Sequence, residues 1–306
     1  MSKTALDVIK KALRIIKVID ANQPLQAIDR NTALEALNDV CYHLPSQYNH
    51  LWTQTQGILL MTKGKQFYKM GLTGDRAINR DELVVGATDL FIGTGSTSLT
   101  LVSAAGISAG DFIGVMLSTG VMQWTTVNGA PVGNTVTIAS MLTEDVNAGA
   151  LVYAYTSLIE RPQQIVNAQF ADSITNSEIP LESWSRDDYF SQPDKATQGN
   201  TSNYYYSPQL VNGDFYVWPT AYSDQNVLRF TYIRPININE NNADQVDFPA
   251  EWYLPLAYKL AEMLCDEYYV TPTEQQLIKQ KSDELMGNVL AFDNSGDALR
   301  IELFRW

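Results

Sequence analysis

The stretch Asp247–Leu264, DFPAEWYLPLAYKLAEML, decides the fold, read together with the strand-like run Val227–Ile236 that precedes it. Asp247 is placed to cap a helix N-terminus, and Pro249 suits a first turn that needs no backbone donor. Glu251 adds a carboxylate near the positive end of the helix dipole. Trp252, Leu256, Leu260 and Leu264 recur at four-residue spacing with Tyr253, Ala257 and Met263 beside them, which makes a broad apolar face. Such a helix has to be buried against other elements. Pro255, inside the pattern, predicts a kink or the end of a short first turn.

Working outward, the partners for this helix lie at both ends of the chain. Lys3–Ile19 reads as an amphipathic helix with Leu6, Ile9, Leu13 and Ile16 in one stripe, ended by Asn22, Gln23 and Pro24. A second helix is expected from about Asn31, with Asn31 or Thr32 as cap and Glu35 in the box position, carrying Leu34, Leu37, Val40, Cys41 and Leu44 until Pro45 stops it. This helical hairpin is too small for a core of its own. The helices from Pro249 and from Pro272 to Leu290 supply the missing faces, so the two chain ends are expected to meet in one bundle.

Between the ends the pattern changes period. From about Leu83 to Tyr155, short runs (Leu90–Ile92, Ser98–Val102, Phe112–Leu117, Gln123–Val127, Thr135–Ile138 and Leu151–Tyr155) are separated by turn signals such as Gly93-Thr94-Gly95, Thr119-Gly120 and Asn128-Gly129. That spacing predicts an inserted small antiparallel barrel or sandwich. Asp111 is the one charged residue between Asp89 and Glu144, and sheet edges without charge need covering neighbours. A third region holds Tyr204-Tyr205-Tyr206, the turn Asn212-Gly213, Phe215-Tyr216-Val217-Trp218 and Val227–Ile233, read as an aromatic β-meander. The fold class expected is therefore α+β. Its segments are residues 1–80 (N-terminal helices and connection), 81–157 (β insert), 158–248 (loops and meander), 249–291 (C-terminal helices) and 292–306 (an extended tail).

Composition narrows the function classes. At 306 residues and 45% hydrophobic content, the chain has room for roughly two folded domains. No run approaches a membrane span, and the first helix carries Lys3, Lys10, Lys11, Arg14 and Lys17 without a cleavage site, so neither a membrane anchor nor a signal peptide is expected. Cys41 and Cys265 each fall in an apolar helical pattern and read as reduced core residues of a cytosolic product. A net charge of −13 opposes wrapping of nucleic acid, although a like-charged wall suits a channel through which DNA slides.

The chemistry-bearing residues favour no reaction. Gly93-Thr94-Gly95-Ser96-Thr97-Ser98 lacks the lysine and the following helix of a phosphate loop, so no nucleotide cofactor is expected. His43 and His50 stand seven apart across Pro45 with no metal-binding spacing, so no metal is expected either. Asp187-Asp188, Glu178 with Glu182, and Asp266-Glu267 are the carboxylate pairs a glycosidase would draw on, with Tyr204, Tyr206, Tyr216 and Trp218 to stack on sugar. Neighbouring carboxylates in a helix face apart and alternating aromatics more often pack, so no catalytic residue is assigned.

The runs RPQQI (Arg161–Ile165), IPLESWSRDDYFSQPDK (Ile179–Lys195), YYYSPQLVNGDFYVWP (Tyr204–Pro219), LRFTYIRPI (Leu228–Ile236) and DFPAEWYLPLAYKLAEMLCDEY (Asp247–Tyr268), in this order, resemble the head-to-tail adaptor proteins of short-tailed bacteriophages, also called tail accessory factors or packaged-DNA stabilisation proteins. The resemblance implies a non-enzymatic virion protein assembled in the host cytoplasm. It forms a ring, typically of twelve copies, under the portal protein, closes the DNA channel after packaging, acts again at genome ejection and carries the downstream nozzle, spike or fibre proteins. DNA passes without sequence-specific binding. In such adaptors the C-terminal segment reaches into the portal, which maps that role onto Ala298–Trp306, with Leu299, Ile301, Leu303, Phe304 and Trp306 as its apolar contacts. Within the Ser185–Tyr189 match, Arg186 and Asp187 read as residues that fix a loop. Arg161 and Arg234, each before proline, read equally as loop-fixing residues or as ordinary surface arginines. The β insert departs from the smaller members, and GDFIGVML with QWTTV (Gly110–Leu117, Gln123–Val127) looks like inserts in longer relatives. The alternative reading is a receptor- or carbohydrate-binding tail component using the insert, with a polysaccharide hydrolase behind it.

Overall fold

A computed structural model describes residues 3–20, 23–47, 51–172 and 177–294. Its helices are α1 (Ala5–Ile15), α2 (Ala27–Gln47), α3 (Arg186–Ser191), α4 (Tyr253–Leu264) and α5 (Pro272–Asn294). The strands are β1 (Gln54–Leu60), β2 (Phe67–Met70), β3 (Ala77–Asn79), β4 (Val84–Ala87), β5 (Ser98–Thr100), β6 (Phe112–Met116), β7 (Met122–Thr126), β8 (Thr135–Thr137), β9 (Leu151–Tyr155), β10 (Gln164–Asp172), β11 (Glu178–Pro180), β12 (Glu182–Ser183), β13 (Asn203–Ser207), β14 (Gly213–Trp218) and β15 (Asn226–Ile233). The class is α+β. Two compact units divide the chain: Met1–Thr53 with Pro235–Trp306, and Gln54–Arg234.

The first unit is the bundle of both chain ends. Trp252, Leu256, Leu260 and Leu264 of the decisive stretch are each fully buried, against Val8, Ile9, Ala12 and Leu13 of α1 and Ala33, Leu37, Val40 and Leu44 of α2. Each buried leucine contributes about 1.5–3 kcal/mol. α1 opens on a capping box in which Asp7 N–H donates to Thr4 Oγ1 at 3.3 Å and Thr4 N–H to Asp7 Oδ2 at 3.2 Å. α4 differs from its expected start. A 3-10 turn at Ala250–Trp252, with Pro249 at its cap position, precedes it, and the Asp247 carboxylate accepts the Asn237 N–H at 3.0 Å. Pro255 thereby falls in the first turn of α4, where its missing N–H costs no hydrogen bond and no kink is required.

α2 begins four residues before the expected Asn31, because tertiary contact holds its first turn: Tyr268 Oη donates to Asp29 Oδ1 at 2.9 Å. It also continues past Pro45 to Gln47, with the proline in its last turn. Cys41 and Cys265 are free and buried, and Cys265 Sγ donates to the Ala261 carbonyl at 3.1 Å.

The second unit is built on a five-stranded sheet in the order β11-β10-β15-β1-β3 and a four-stranded sheet in the order β12-β13-β14-β2, with Leu59, Phe170, Phe215, Leu228 and Phe230 in the core between them. Two sequence expectations change here. Residues 54–79, read as a connection, supply β1, β2 and β3. The expected meander is a β13–β14 hairpin only, because β15 leaves it to pair with β1 and β10. Gly57 permits that pairing: it stands directly opposite Phe230, whose ring occupies the space a side chain would take.

The insert is a pair of small sheets, β4-β9-β6-β7 and β5-β8, around Leu99, Ile113, Val115, Val136, Val146 and Val152. Leu90–Ile92 forms an isolated bridge from Ile92 to Val146 rather than a strand. A further cluster joins insert to sheet through Met116, Met122, Tyr153 and Tyr155 packed with Ile58, Leu60, Ile78 and Val227, and Met122 N–H donates to Asp224 Oδ2 at 3.0 Å.

Candidate partner-binding surfaces

The residues singled out in the sequence fall at separate places. α3 is capped by Ser185 and Asp188: Asp188 N–H donates to Ser185 Oγ at 3.2 Å, and Ser185 N–H returns to Asp188 Oδ2 at 3.1 Å. The Ser185 hydroxyl, 2.7 Å away, holds the Asp188 carboxyl below its ordinary pKa. Asp188 is therefore the capping carboxylate, while Asp187 is exposed in the same first turn. Arg186 lays its guanidinium 5.6 Å from the centre of the Phe190 ring. Arg161 and Arg234 lie in the segments that flank one end of the β10–β15 pair, beyond the partners Gln164 and Ile233. There the Pro162 carbonyl accepts from Tyr206 Oη at 2.5 Å. Burial pushes the Tyr206 and Tyr232 hydroxyls up, Tyr232 to about 12, with Arg161 and Arg234 respectively opposing the rise. Leu299, Ile301, Leu303, Phe304 and Trp306 lie outside the described residues, as does His50.

The carboxylate pairs are engaged apart from one another. Glu178 pairs with Arg229 on the five-stranded sheet, whereas Glu182 accepts from Asn203 Nδ2 at 3.2 Å on the four-stranded one. Asp266 accepts from Gln275 Nε2 at 2.9 Å. Where a phosphate loop would hold its anion, Thr94 donates both N–H and Oγ1 to Asp145 Oδ1, each at 2.8 Å, and these bonds hold the Asp145 carboxyl below its ordinary pKa. Among the described residues no group of three or more His, Cys, Asp or Glu is placed to hold a metal ion, and no helix is long and apolar enough to cross a membrane.

The aromatic strands divide by face. Tyr204 and Phe215 stack inside the core with centroids 5.2 Å apart, and Tyr206 lies beside them. The outer face carries Phe67, Tyr216 and Tyr205, stacked in sequence at 5.4 and 5.6 Å, with Tyr189 and Phe190 of α3 packed over Tyr216. Trp184 and Trp218 stack at 5.5 Å. These rings pack on one another by stacked and edge-to-face contacts, and Phe67 and Phe190 remain exposed. In the insert, Trp124 carries Arg76 over its ring at 4.2 Å, and Tyr153 and Tyr155 are buried.

One feature gave no sequence signal. Val40, His43 and Leu44 of α2, Met263 of α4, Asp266 just after it, and Pro272, Gln275, Gln276 and Lys279 of α5 line a groove of about 690 Å³ on the bundle. Its lining mixes apolar side chains with charges of both signs: Asp39, Asp266, Lys279 and the pair Lys259–Glu262, 3.2 Å apart. Periodicity identifies faces that pack on a neighbouring helix and is blind to a gap left where three helices diverge.

No protein-family model matches the chain, and no curated protein matches it. A solved structure similar to part of it is the tailspike gp61 of Pseudomonas phage phi297, with 23% identity, a TM-score of 0.21, and coverage of 24% of this chain and 14% of the tailspike. The likeness is thus to a small segment of a phage tail protein, and at that score it establishes no common fold and carries no argument about role.

Proposed function

We propose that this chain is a structural, non-enzymatic component of a phage virion, the head-to-tail adaptor that forms a ring beneath the portal of a filled capsid. The observation that carries the reading is the ordered set of five adaptor-like runs between Arg161 and Tyr268. It is supported by where those runs fall: they supply the first two residues of β10, all of β12, α3 and β14, most of β11, β13 and β15, and the buried helix α4. Function then needs no chemistry. Copies pack side by side around a channel that DNA traverses without base contacts, each tail docks on the portal, and the lower face accepts nozzle, spike or fibre proteins. Ring closure makes the last contacts effectively intramolecular, so individually weak interfaces suffice. The acidic balance of the chain keeps a polyanion sliding past it from adhering.

The tail assignment is tested by a chain ending at Asp297. It should lose measurable binding to the portal of the same phage while keeping the circular dichroism of the full chain; undiminished affinity would overturn the assignment. The alternative, a sugar-binding tail component, rests on the aromatics of the insert and the β13–β14 hairpin, many of which pack on one another. Binding of capsular or lipopolysaccharide fragments by the full chain would favour it.

A further inference from the structure

We infer that Tyr269, at the corner between α4 and α5, is a contact residue between copies of this chain, seated on the basic face of α1 of the next copy. The inference takes from the adaptor reading only that copies meet side by side. Three observations carry it. The first is backbone strain. Beyond α4 the chain makes one more turn, in which Tyr268 N–H donates to the Leu264 carbonyl and Val270 N–H to the Cys265 carbonyl, each at 3.1 Å. Tyr269 closes this turn at φ 51°, the left-handed conformation that a helix end ordinarily gives to glycine, because a Cβ there crowds the backbone. α1 ends in the same way, with Val18 N–H donating to the Leu13 carbonyl at 2.9 Å and Lys17 at φ 60°. Lys17 uses its side chain within the chain, in an ion pair with Glu274 at 2.6 Å. Tyr269 does not: it is 93% exposed, and its side chain makes no hydrogen bond or ring contact with another described residue. A bulky aromatic held where glycine fits best, and unused by its own chain, is placed for a partner.

The second observation is the charge around it. From Glu262 to Glu274 the chain has four carboxylates and no cation. Glu262 and Glu274 are paired with Lys259 and Lys17, which leaves Asp266 and Glu267 exposed beside Tyr269. The third is the face that answers this corner. Residues 3–17 hold Lys3, Lys10, Lys11, Arg14 and Lys17 against the single acid Asp7, in a chain of net charge −13. Lys10 and Arg14 stand one turn apart on one face of α1, with Lys11 beside them. A tyrosine ring flanked by two carboxylates complements such a face: the ring lies over a cation and the carboxylates pair with its neighbours. The corner of one copy then meets α1 of the next, a heterologous contact of the kind that closes into a ring. Its area is small, so free copies stay apart when dilute and join when crowded or templated.

The test is sedimentation equilibrium of the full chain at about millimolar concentration and low ionic strength, where screening is weak. Tyr269→Gly should raise the urea midpoint, because glycine suits the turn, and lower the association constant about tenfold. Those opposite signs separate a contact residue from a structural one. Lys10→Glu and Glu267→Lys should each weaken association, and the two together should restore it. A wild-type chain that stays monomeric under these conditions, a Tyr269→Gly variant that associates as the wild type does, or a charge swap without rescue would each overturn the proposal. The portal takes no part, so a chain that associates in this way and yet ignores the portal would sink the adaptor reading alone.

Discussion

Replacing Gly57 by alanine tests whether the pairing of β1 with β15 specifies the second unit. Ordinarily a strand glycine becomes more stable as alanine, by about 0.4–1 kcal/mol, because the unfolded chain loses freedom. Here the added Cβ would lie 2.5 Å from Cζ and 2.7 Å from Cε2 of Phe230. That ring is 3% exposed and held by Phe215 and Tyr232, with centroids 6.5 and 5.5 Å away, so it cannot swing aside. Overpacking a core costs about 1–3 kcal/mol, which outweighs the entropic gain and leaves a net loss of roughly 1–2 kcal/mol. Urea unfolding should show a lower midpoint at unchanged slope. Phe230→Leu shortens the opposing side chain, so Gly57→Ala should cost at least about 1 kcal/mol less in that background. A neutral or stabilising Gly57→Ala, or the same cost in both backgrounds, would refute the reasoning.

Other outcomes follow from single contacts. Leu260→Ala, at a fully buried position of the bundle, should destabilise by about 2–5 kcal/mol in thermal or urea unfolding. Asp145, Asp188, Asp194 and Glu274 are held below their ordinary pKa values, first by hydrogen bonds from Thr94, Ser185, Thr197 and Lys17 respectively. As pH falls through the ordinary carboxylate range the unfolded chain binds those protons first, so the stability present above that range should be lost on acidification below about pH 4.5, as a falling melting temperature. Burial, followed by the Asp247 charge, pushes the Cys41 thiol up to about 12, so thiol reagents should label neither Cys41 nor Cys265 until the protein is unfolded.

Which elements were legible in the sequence depended on how local their cause was. The apolar stripe of Asp247–Leu264 and the Gly-rich turns of the insert are set by neighbours in the chain, and both are found, with α4 beginning later than expected at Tyr253 and Leu90–Ile92 reduced to a single bridge. β1 was missed because Gln54, Thr55, Gln56 and Gly57 interrupt its apolar run; it is a strand because β15 and β3 lie on either side of it. The passage of β15 out of the expected meander has the same origin, since its partners β1 and β10 are far away in sequence. The early start of α2 depends on Tyr268, and the capping carboxylate of α3 is Asp188 rather than the adjacent Asp187, a one-residue difference that places the side chain on another helical face. Among the aromatics the period-two alternation was visible, but its phase was not: Tyr204 faces the core and Tyr205 the outside, a choice fixed by pairing with Val217 and Tyr216.

The most direct measurement for the adaptor reading is light scattering after size exclusion, on the pure protein and on its mixture with the portal of the same phage. The account predicts a subunit that is monomeric alone and enters a large portal-bound ring on mixing. A stable trimer that ignores the portal would contradict it and point to a spike or fibre component.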